Sequence, residues 1–308
     1  MGELMPSLRR TLLAYSIHGR TNEGVIDYPD FFERFFAESV VGIRYEVGDQ
    51  MVSVTQRVRD EKDDEVKPGA GALRFVSGSA TELPLFYDNS TGRDEVIELS
   101  NGLIVNAVWI FVDPESRILV TERKRPGVGI GLIARYFELR GRDLGYPNLR
   151  IDLNPSPSSE FAAEVERLTE IKSAEIVLSR PNLDWGDTEA DVHAYADKSG
   201  ASKAKIEMTA PRGGELSKAS GIIHDIIELA RKPITSLKDV AVTGKSPADA
   251  GTKRISLGRF QRKANVLLPA KGDAASDLEA LSGAAHELID ATALDTVNVG
   301  TTNAPVDK

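Results

Sequence analysis

The residues with the clearest capacity for chemistry form a basic, glycine-rich loop that leads into a helix, RKRPGVGIGLIAR (residues 123–135). A glycine loop lets main-chain N–H groups approach a phosphate, and the N-terminal end of a helix adds partial positive charge. Arg135 and Arg142 are seven residues apart and so share one face of that helix. The stretch therefore predicts a backbone-phosphate site formed by Arg123, Lys124, Arg125, Gly127, Gly129, Arg135 and Arg142.

The same loop lacks the spacing of a nucleotide cofactor site. Gly127, Gly129 and Gly131 follow a G-x-G-x-G pattern, whereas the dinucleotide fingerprint is G-x-G-x-x-G directly after a strand. The Lys-Ser or Lys-Thr pair of a mononucleotide-binding loop is missing as well. We therefore expect no nucleotide cofactor. A tight turn with solvated arginines is the alternative to phosphate binding.

A second basic segment, KRISLGRFQRK (residues 253–263), contains five cations and no acidic residue. Residues 117–150 are similarly biased, with eight basic and three acidic residues, although the whole chain has a net charge of −9. Nonspecific binding of a nucleic acid requires a positive surface somewhere on the protein. We predict that the second segment adds phosphate contacts through Arg254, Arg259, Arg262 and Lys263.

An enzymatic alternative comes from Asp113, Glu122 and Lys124, which follow the D…E-x-K order of metal-dependent nucleases. Their two carboxylates would have to share one divalent cation through oxygen ligands at about 2 Å. The run VWIFVDPESRILVTER instead predicts a hairpin with Asp113 at its turn, which would separate the carboxylates by roughly 16 Å. The four histidines are scattered and match no catalytic or zinc motif. The sequence thus indicates no conventional enzyme, and we expect neither a metal nor another cofactor.

Composition narrows the remaining possibilities. The chain of 308 residues contains no cysteine, which excludes thiol catalysis, disulfides and cysteine-ligated metals. Its longest apolar run is AVWIFV (residues 107–112), far short of the roughly 20 residues that span a bilayer. We expect a soluble, cytoplasmic protein without direct membrane insertion.

The order of predicted elements favours an α+β fold with antiparallel sheets. Short strands separated by Gly, Asp or Ser are typical of a meander or small barrel, and they dominate a predicted N-terminal domain over residues 1–100. A hairpin and mixed helices and strands predict an α+β DNA-binding domain over residues 101–270. A short helix and a disordered acidic tail are predicted for residues 271–308. Helices are predicted at 27–39, 158–171, 188–200 and 214–232.

The runs WIFVDPESRILVTERKRPGVGIGLIARYFE and KIEMTAPRGGELSKASGIIHDIIELARKP resemble the body of the RexA phage-exclusion proteins. The KwaB component of the Kiwa antiphage system is similar in the same way. The similarity lies in the order of elements and the apolar positions between residues 80 and 260. It implies a dimeric α+β protein that binds duplex DNA without sequence preference, in prokaryotic antiphage defence or phage exclusion.

These observations predict double-stranded DNA as the main partner, with RNA as a substitute. The resemblance also implies a homodimer. A membrane protein or nuclease encoded in the same operon is expected as a further partner. The remaining alternative is a protein–protein module whose acidic surface binds a toxin or a membrane subunit.

Overall fold

Strands make up more of the described chain than helices do, and the protein has an α+β fold in which a curled, half-barrel sheet is joined to a second, smaller sheet. The strand pairs of both sheets are antiparallel, which confirms the predicted fold class. The computed structural model describes residues 7–37, 40–62, 65–79, 85–88, 93–96, 105–179, 203–231, 237–247, 251–269 and 274–300.

The large sheet is organised around strand β1 (Ser7–Thr21), which pairs with four other strands. One edge of β1 pairs first with β15 (Lys263–Pro269) and then with β10 (Arg150–Pro155). The other edge pairs with β9 (Ile118–Arg123) and, at its end, with β2 (Gly24–Val25). Beyond β9 the order continues through β8 (Asn106–Asp113), β5 (Glu65–Ser79), β4 (Gln50–Lys62) and β3 (Arg44–Val47).

The second sheet has the order β12 (Lys203–Thr209), β11 (Glu170–Ser179), β13 (Asp239–Lys245) and β14 (Thr252–Ser256). Two short strands, β6 (Leu85–Asp88) and β7 (Arg93–Val96), pair with each other. The described helices are α1 (Tyr28–Ala37), α2 (Ile130–Asp143), α3 (Ser159–Arg167), α4 (Ile222–Arg231), α5 (Ala274–Gly300) and a short 3₁₀ helix (Leu257–Arg259).

Helices cover both faces of the large sheet. Side chains alternate between the two faces along each strand, and both faces carry apolar side chains that the helices bury. Tyr15 and Ile17 of β1 face α1 and α2, in a core that includes the four fully buried phenylalanines of α1: Phe31, Phe32, Phe35 and Phe36. Leu12 and Ala14 face the opposite side, where Leu281 of α5 packs on the sheet. Burying one such aromatic side chain stabilises a fold by about 1.5–3 kcal/mol.

The second sheet has a core of its own. Phe161 and Val165 of α3 and Ile226 of α4 are buried against Ile176 and Val242 of the sheet. Its elements lie between β10 and β15 in the chain, both of which belong to the large sheet. The second sheet is therefore an insertion between two neighbouring strands of the first.

The hairpin predicted around Asp113 is formed by β8 and β9. The predicted division at residue 100 does not follow the strand pairing, because β5 pairs with β8 across it. Strand β15 returns to β1 instead of belonging to a separate middle domain. Hydrophobic patterning along the chain reveals strands but not their distant partners.

Helix lengths also differ from the predictions. The C-terminal helix α5 extends to Gly300, so it includes residues that were predicted to be a disordered tail. The helix predicted at 214–232 begins at Ile222, and the one predicted at 158–171 ends at Arg167, where β11 follows three residues later. The predicted helix at 188–200 and residues 301–308 lie outside the described residues.

Among the residues that the structure describes, no helix is both long and apolar enough to cross a membrane.

Candidate nucleic-acid interface

The register of three adjacent strands brings the two basic segments to one face of the large sheet. Arg123 of β9 pairs with Thr11 of β1, and Thr11 pairs with Asn265 of β15. Two residues further along β1, Leu13 pairs with Lys263. Because side chains two residues apart point to the same face, Arg123 and Lys263 share a face. Their Cα atoms are about 12 Å apart by strand geometry.

This face also carries Arg9, which the sequence analysis did not select. Arg9 lies two residues before Thr11 on β1 and is exposed, as are Arg123 and Lys263. Strand geometry places its Cα about 8 Å from that of Arg123. The spacing of Arg9, Thr11 and Leu13 indicates that these side chains share one face of a strand. It does not indicate that Arg123 and Lys263 lie on the same face, because that depends on the strand partners.

Hydrogen bonds on this face and in the sheet below it hold the strands in register. The Thr11 hydroxyl donates to Oδ1 of Asn265 at 3.0 Å, and the buried Gln261 amide donates to the Ala14 carbonyl at 2.7 Å. Burial raises the pKa of the Tyr15 hydroxyl, while its hydrogen bond with Gln261 and the nearby charge of Arg123 act in the opposite direction. The Arg123 charge therefore lies close to the segment that begins β15.

The loop after β9 continues the positive charge towards α2. Lys124 and Arg125 are exposed, and buried Val128 anchors the loop to the core. A Cβ atom on Gly127 would lie 2.5 Å from the Lys124 carbonyl oxygen, so this tight approach requires glycine. Helix α2 then begins with Gly129 at its N-cap, without a side-chain cap and without an acidic residue in its first turn. The loop thus presents main-chain N–H groups beside cationic side chains.

Ion pairing separates the predicted cations into two groups. Arg135 pairs with Glu138 at 2.6 Å and Arg254 with Glu175 at 3.4 Å, so both are partly neutralised. Arg262 donates to the carbonyl oxygens of Pro157 at 2.8 Å and Ala291 at 3.3 Å. The other predicted cations form no ion pair with a carboxylate in the described part of the chain; these are Arg123, Lys124, Arg125, Arg142, Arg259 and Lys263.

Two of the predicted cations lie away from this face. Arg142 is in the last turn of α2, about 18 Å along the helix axis from its first residue. Arg254 belongs to the second sheet. We define the basic surface by the exposed cations that remain: Arg9, Arg123, Lys124, Arg125, Arg259 and Lys263.

A cavity of about 270 Å³ lies at the sheet edge where β15 begins, lined by Arg259, Arg262 and Lys263 and also by Leu288 of α5, which packs on the opposite face. It is formed where β10 leaves the edge of β1 and β15 enters it. Ser158, the N-cap of α3, also lines it, and its buried hydroxyl has no hydrogen-bond partner among the described residues. Glu160 is the acidic residue in the lining. The side-chain balance is thus positive, as a phosphate group requires.

The predicted nuclease residues do not converge. Asp113 pairs with Ile118 at the hairpin turn, which is four residues from Glu122, or about 13 Å along the strand. Glu122 is 8% exposed, and its Oε1 lies 2.8 Å from Nε of Arg10. Burial raises the pKa of the Glu122 carboxyl, although Arg10 lowers it. Among the described residues, no group of three or more His, Asp or Glu side chains could hold a metal ion.

One polar constellation was missed by the sequence analysis. Nε2 of His286 on α5 lies 2.9 Å from Oδ2 of Asp60 on β4, and Nδ1 lies 3.4 Å from Oγ of Ser282. Ser282 and His286 are one helical turn apart, but Asp60 is 226 residues away in the chain. No local pattern could have linked them.

The fold and this surface define the chain as an α+β protein with an exposed cluster of cations that have no carboxylate partner in the part of the chain that the structure describes. The chain belongs to the family described as a domain of unknown function (DUF4747), whose model matches residues 10–232. No curated protein matches it. The family match includes β1 from Arg10 onwards, β9 and the glycine loop, whereas Arg9 and β15, with Lys263, lie outside it.

Proposed function

We propose that the protein binds the phosphate backbone of duplex DNA, without sequence preference, through the basic surface. The observation that carries this proposal is the strand register that places Arg123 and Lys263 on one face of β9, β1 and β15. Two basic segments separated by more than 100 residues thereby form one surface. Contacts to phosphates fix position on a duplex but read no bases, which fits a nonspecific binder.

The net charge of −9 is compatible with this function, because charge acts locally in salt solution. The screening length is about 8 Å at physiological ionic strength. Arg9 and Arg123 are separated by about 8 Å and Arg123 and Lys263 by about 12 Å, so a phosphate on this surface is close to several cations at once. Distant carboxylates on the rest of the molecule are largely screened.

The glycine loop and the cavity provide places for individual phosphates. At the start of α2, uncapped N–H groups and the helix dipole favour an anion next to Lys124 and Arg125. At the other end of the surface, Arg259 and Lys263 line a cavity that also contains the Ser158 hydroxyl. Duplex binding along this surface would engage both ends.

Fluorescence anisotropy on a random duplex, measured between about 50 and 200 mM salt, tests the proposal. Each lost phosphate contact reduces the slope of log K against log salt by about 0.9. We expect the triple change Arg123→Ala, Lys124→Ala and Arg125→Ala to reduce the slope by up to about 2.7. Arg135→Ala with Arg254→Ala is the control, because both cations already have carboxylate partners.

Equal slopes for the triple variant and the wild type would contradict this assignment. A parallel titration with duplex RNA shows whether RNA can replace DNA. Failure of the wild-type protein to bind either duplex at physiological salt would instead favour a protein–protein module with an acidic binding surface. A role in phage defence rests on the RexA and KwaB resemblance alone and stays a prediction.

A further inference from the structure

A second cavity, of about 460 Å³, lies on the opposite side of the large sheet from the basic surface. It is an open cleft between α5 and the strands β4, β5 and β8, and its volume is within the range of about 300–1,000 Å³ typical of small-molecule sites. Its apolar walls consist of Val58, Ala72, Phe111, Ala275 and Leu278. Largely apolar walls with a few polar groups are what such sites usually present.

The polar end of this cavity is formed by Asp60, His286 and Ser282, whose contacts were described above. Glu279 is a further acidic group of the lining. Arg59 also lines the cavity, but its guanidinium group is held by Glu33 of α1 at 2.8 Å, on the other face of the sheet. The charge that faces the cavity is therefore negative.

An adjoining cavity of about 40 Å³ shares Asp60, Phe111 and His286 with the larger one. It adds two carboxylates and one cation, from Asp113, Asp290 and Lys67. Together the two cavities have an acidic balance. An anionic ligand would be repelled here, whereas a cation would be attracted.

Ser282, His286 and Asp60 contact one another in the same order as the serine, histidine and aspartate of a serine hydrolase's catalytic triad. The position of Ser282 nevertheless favours ligand binding over catalysis. Ser282 lies inside α5, where main-chain N–H groups are used by hydrogen bonds along the helix. An acyl-transfer site needs free N–H groups to stabilise the oxyanion, and losing one such donor costs about 10²–10³ in rate. The three side chains are therefore better suited to hold a polar group of a ligand.

We propose that this cavity binds a small, mainly apolar molecule that carries one protonated amine. The apolar body would lie between Phe111 and Leu278, and the ammonium group would lie towards Asp60 and Glu279. The proposal is independent of the basic surface, because the two sites are on opposite faces of the sheet. The ligand class follows from the volume, the apolar walls and the acidic end of the cavity.

Isothermal titration calorimetry with three probes that share one ring system tests the ligand class. Tryptamine is the amine, tryptophol the neutral alcohol and indole-3-acetate the carboxylate. We expect tryptamine to bind at least about tenfold more tightly than tryptophol, with indole-3-acetate weaker still, since charge complementarity determines the order. No detectable tryptamine binding, or equal affinity for the carboxylate, would overturn the proposal.

A cavity-filling variant tests the location. A Cβ atom on Gly283 would meet no atom within 4 Å, and Gly283 lines the cavity, so Gly283→Phe should fill it without disturbing the helix. Leu294→Phe is the control, because Leu294 is 62% exposed on the same helix. We expect only the first variant to abolish tryptamine binding. Unchanged binding to Gly283→Phe would show that the amine binds elsewhere.

A third variant tests the acidic end. Glu279 is exposed, so Glu279→Gln should leave the fold intact while reducing tryptamine affinity several-fold and leaving tryptophol unchanged. Equal losses for the two probes would contradict an ammonium group at this end. Circular dichroism of each variant confirms that the helix is retained.

Discussion

The two sheets differ in how their cations are paired. In the second sheet, Lys205 and Arg254 both approach Glu175, at 3.2 and 3.4 Å, and Lys245 lies 3.0 Å from Glu170. On the basic surface of the large sheet, Arg123 and Lys263 have no such partner among the described residues. Both regions are rich in lysine and arginine, but among the described residues the cations of the basic surface are less neutralised by nearby carboxylates.

This difference shows why counting basic residues is a poor guide to a binding surface. Arg254 was selected from the sequence for its basic neighbours, but it lies on β14, beside Glu175 of β11. Arg9 has a single cationic neighbour in the sequence, Arg10, yet in the structure it lies next to Arg123, which has no carboxylate partner among the described residues. Availability depends on which carboxylates the fold brings near.

The largest expected effect comes from reversing charge on the two sheets separately. Arg123→Glu with Lys263→Glu should weaken duplex DNA binding by about 100-fold at moderate salt, because it removes two contacts and adds two repulsive charges. Lys205→Glu with Arg254→Glu changes the net charge equally but on residues that already have partners, and we expect a loss of about threefold or less. Fluorescence anisotropy measures both. Equal losses would mean that overall charge, not the basic surface, controls binding.

A largely buried ion pair on the opposite face of the sheet from the basic surface should matter for stability and not for binding. Glu122→Ala leaves Arg10 without its partner, and breaking a buried pair typically costs about 3–5 kcal/mol. The Arg10 side chain is 20% exposed, so we expect a smaller loss of about 2 kcal/mol in the free energy of unfolding. Urea denaturation measures the loss. A large fall in DNA affinity with unchanged stability would instead place Glu122 in the binding site.

The glycine loop allows a comparison within the basic surface itself. Gly127→Ala would bring a Cβ atom to 2.5 Å from the Lys124 carbonyl oxygen, so the main chain must shift. We expect a stability loss of about 1–2 kcal/mol together with weaker DNA binding. Gly129→Ala is the control, because its added Cβ would meet no atom within 4 Å and its φ of −70° suits any residue. Denaturation of both variants tests the difference, and equal stabilities would contradict a tight turn at Gly127.

Local parts of this architecture could be predicted from the sequence. The hairpin around Asp113 follows from two apolar runs and a turn, and α2 follows from apolar spacing after the glycine loop. The basic surface could not be predicted in full, because Thr11 and Asn265 pair across 254 residues of chain. No periodicity within β15 indicates that its partner is β1. The Asp60 to His286 contact was hidden for the same reason.

The smallest effect concerns the pH dependence of the second sheet. Lys205, and less strongly Arg254, hold the pKa of the Glu175 carboxyl below its usual value, and Lys172 and Lys245 do the same for Glu170. A carboxyl whose pKa is lower in the folded state stabilises the fold above its unfolded pKa, about 4.3, and this contribution is lost as the pH falls through the folded value. Both carboxyl groups are only partly buried and in contact with solvent, so water screens their ion pairs and the effect should be small.

Glu175→Gln tests this contribution. Urea denaturation of the variant and the wild type should show a small difference in stability at pH 7 that disappears as the pH is lowered below about 4. Glu122 should behave in the opposite sense, because its pKa is raised by burial: its contribution is largest below the unfolded pKa and declines as the pH rises. If the difference in the free energy of unfolding between Glu175→Gln and the wild type grew on acidification, Glu175 would not be paired with Lys205 and Arg254. The contrast between the paired cations of the second sheet and the cations of the basic surface would then fail as well.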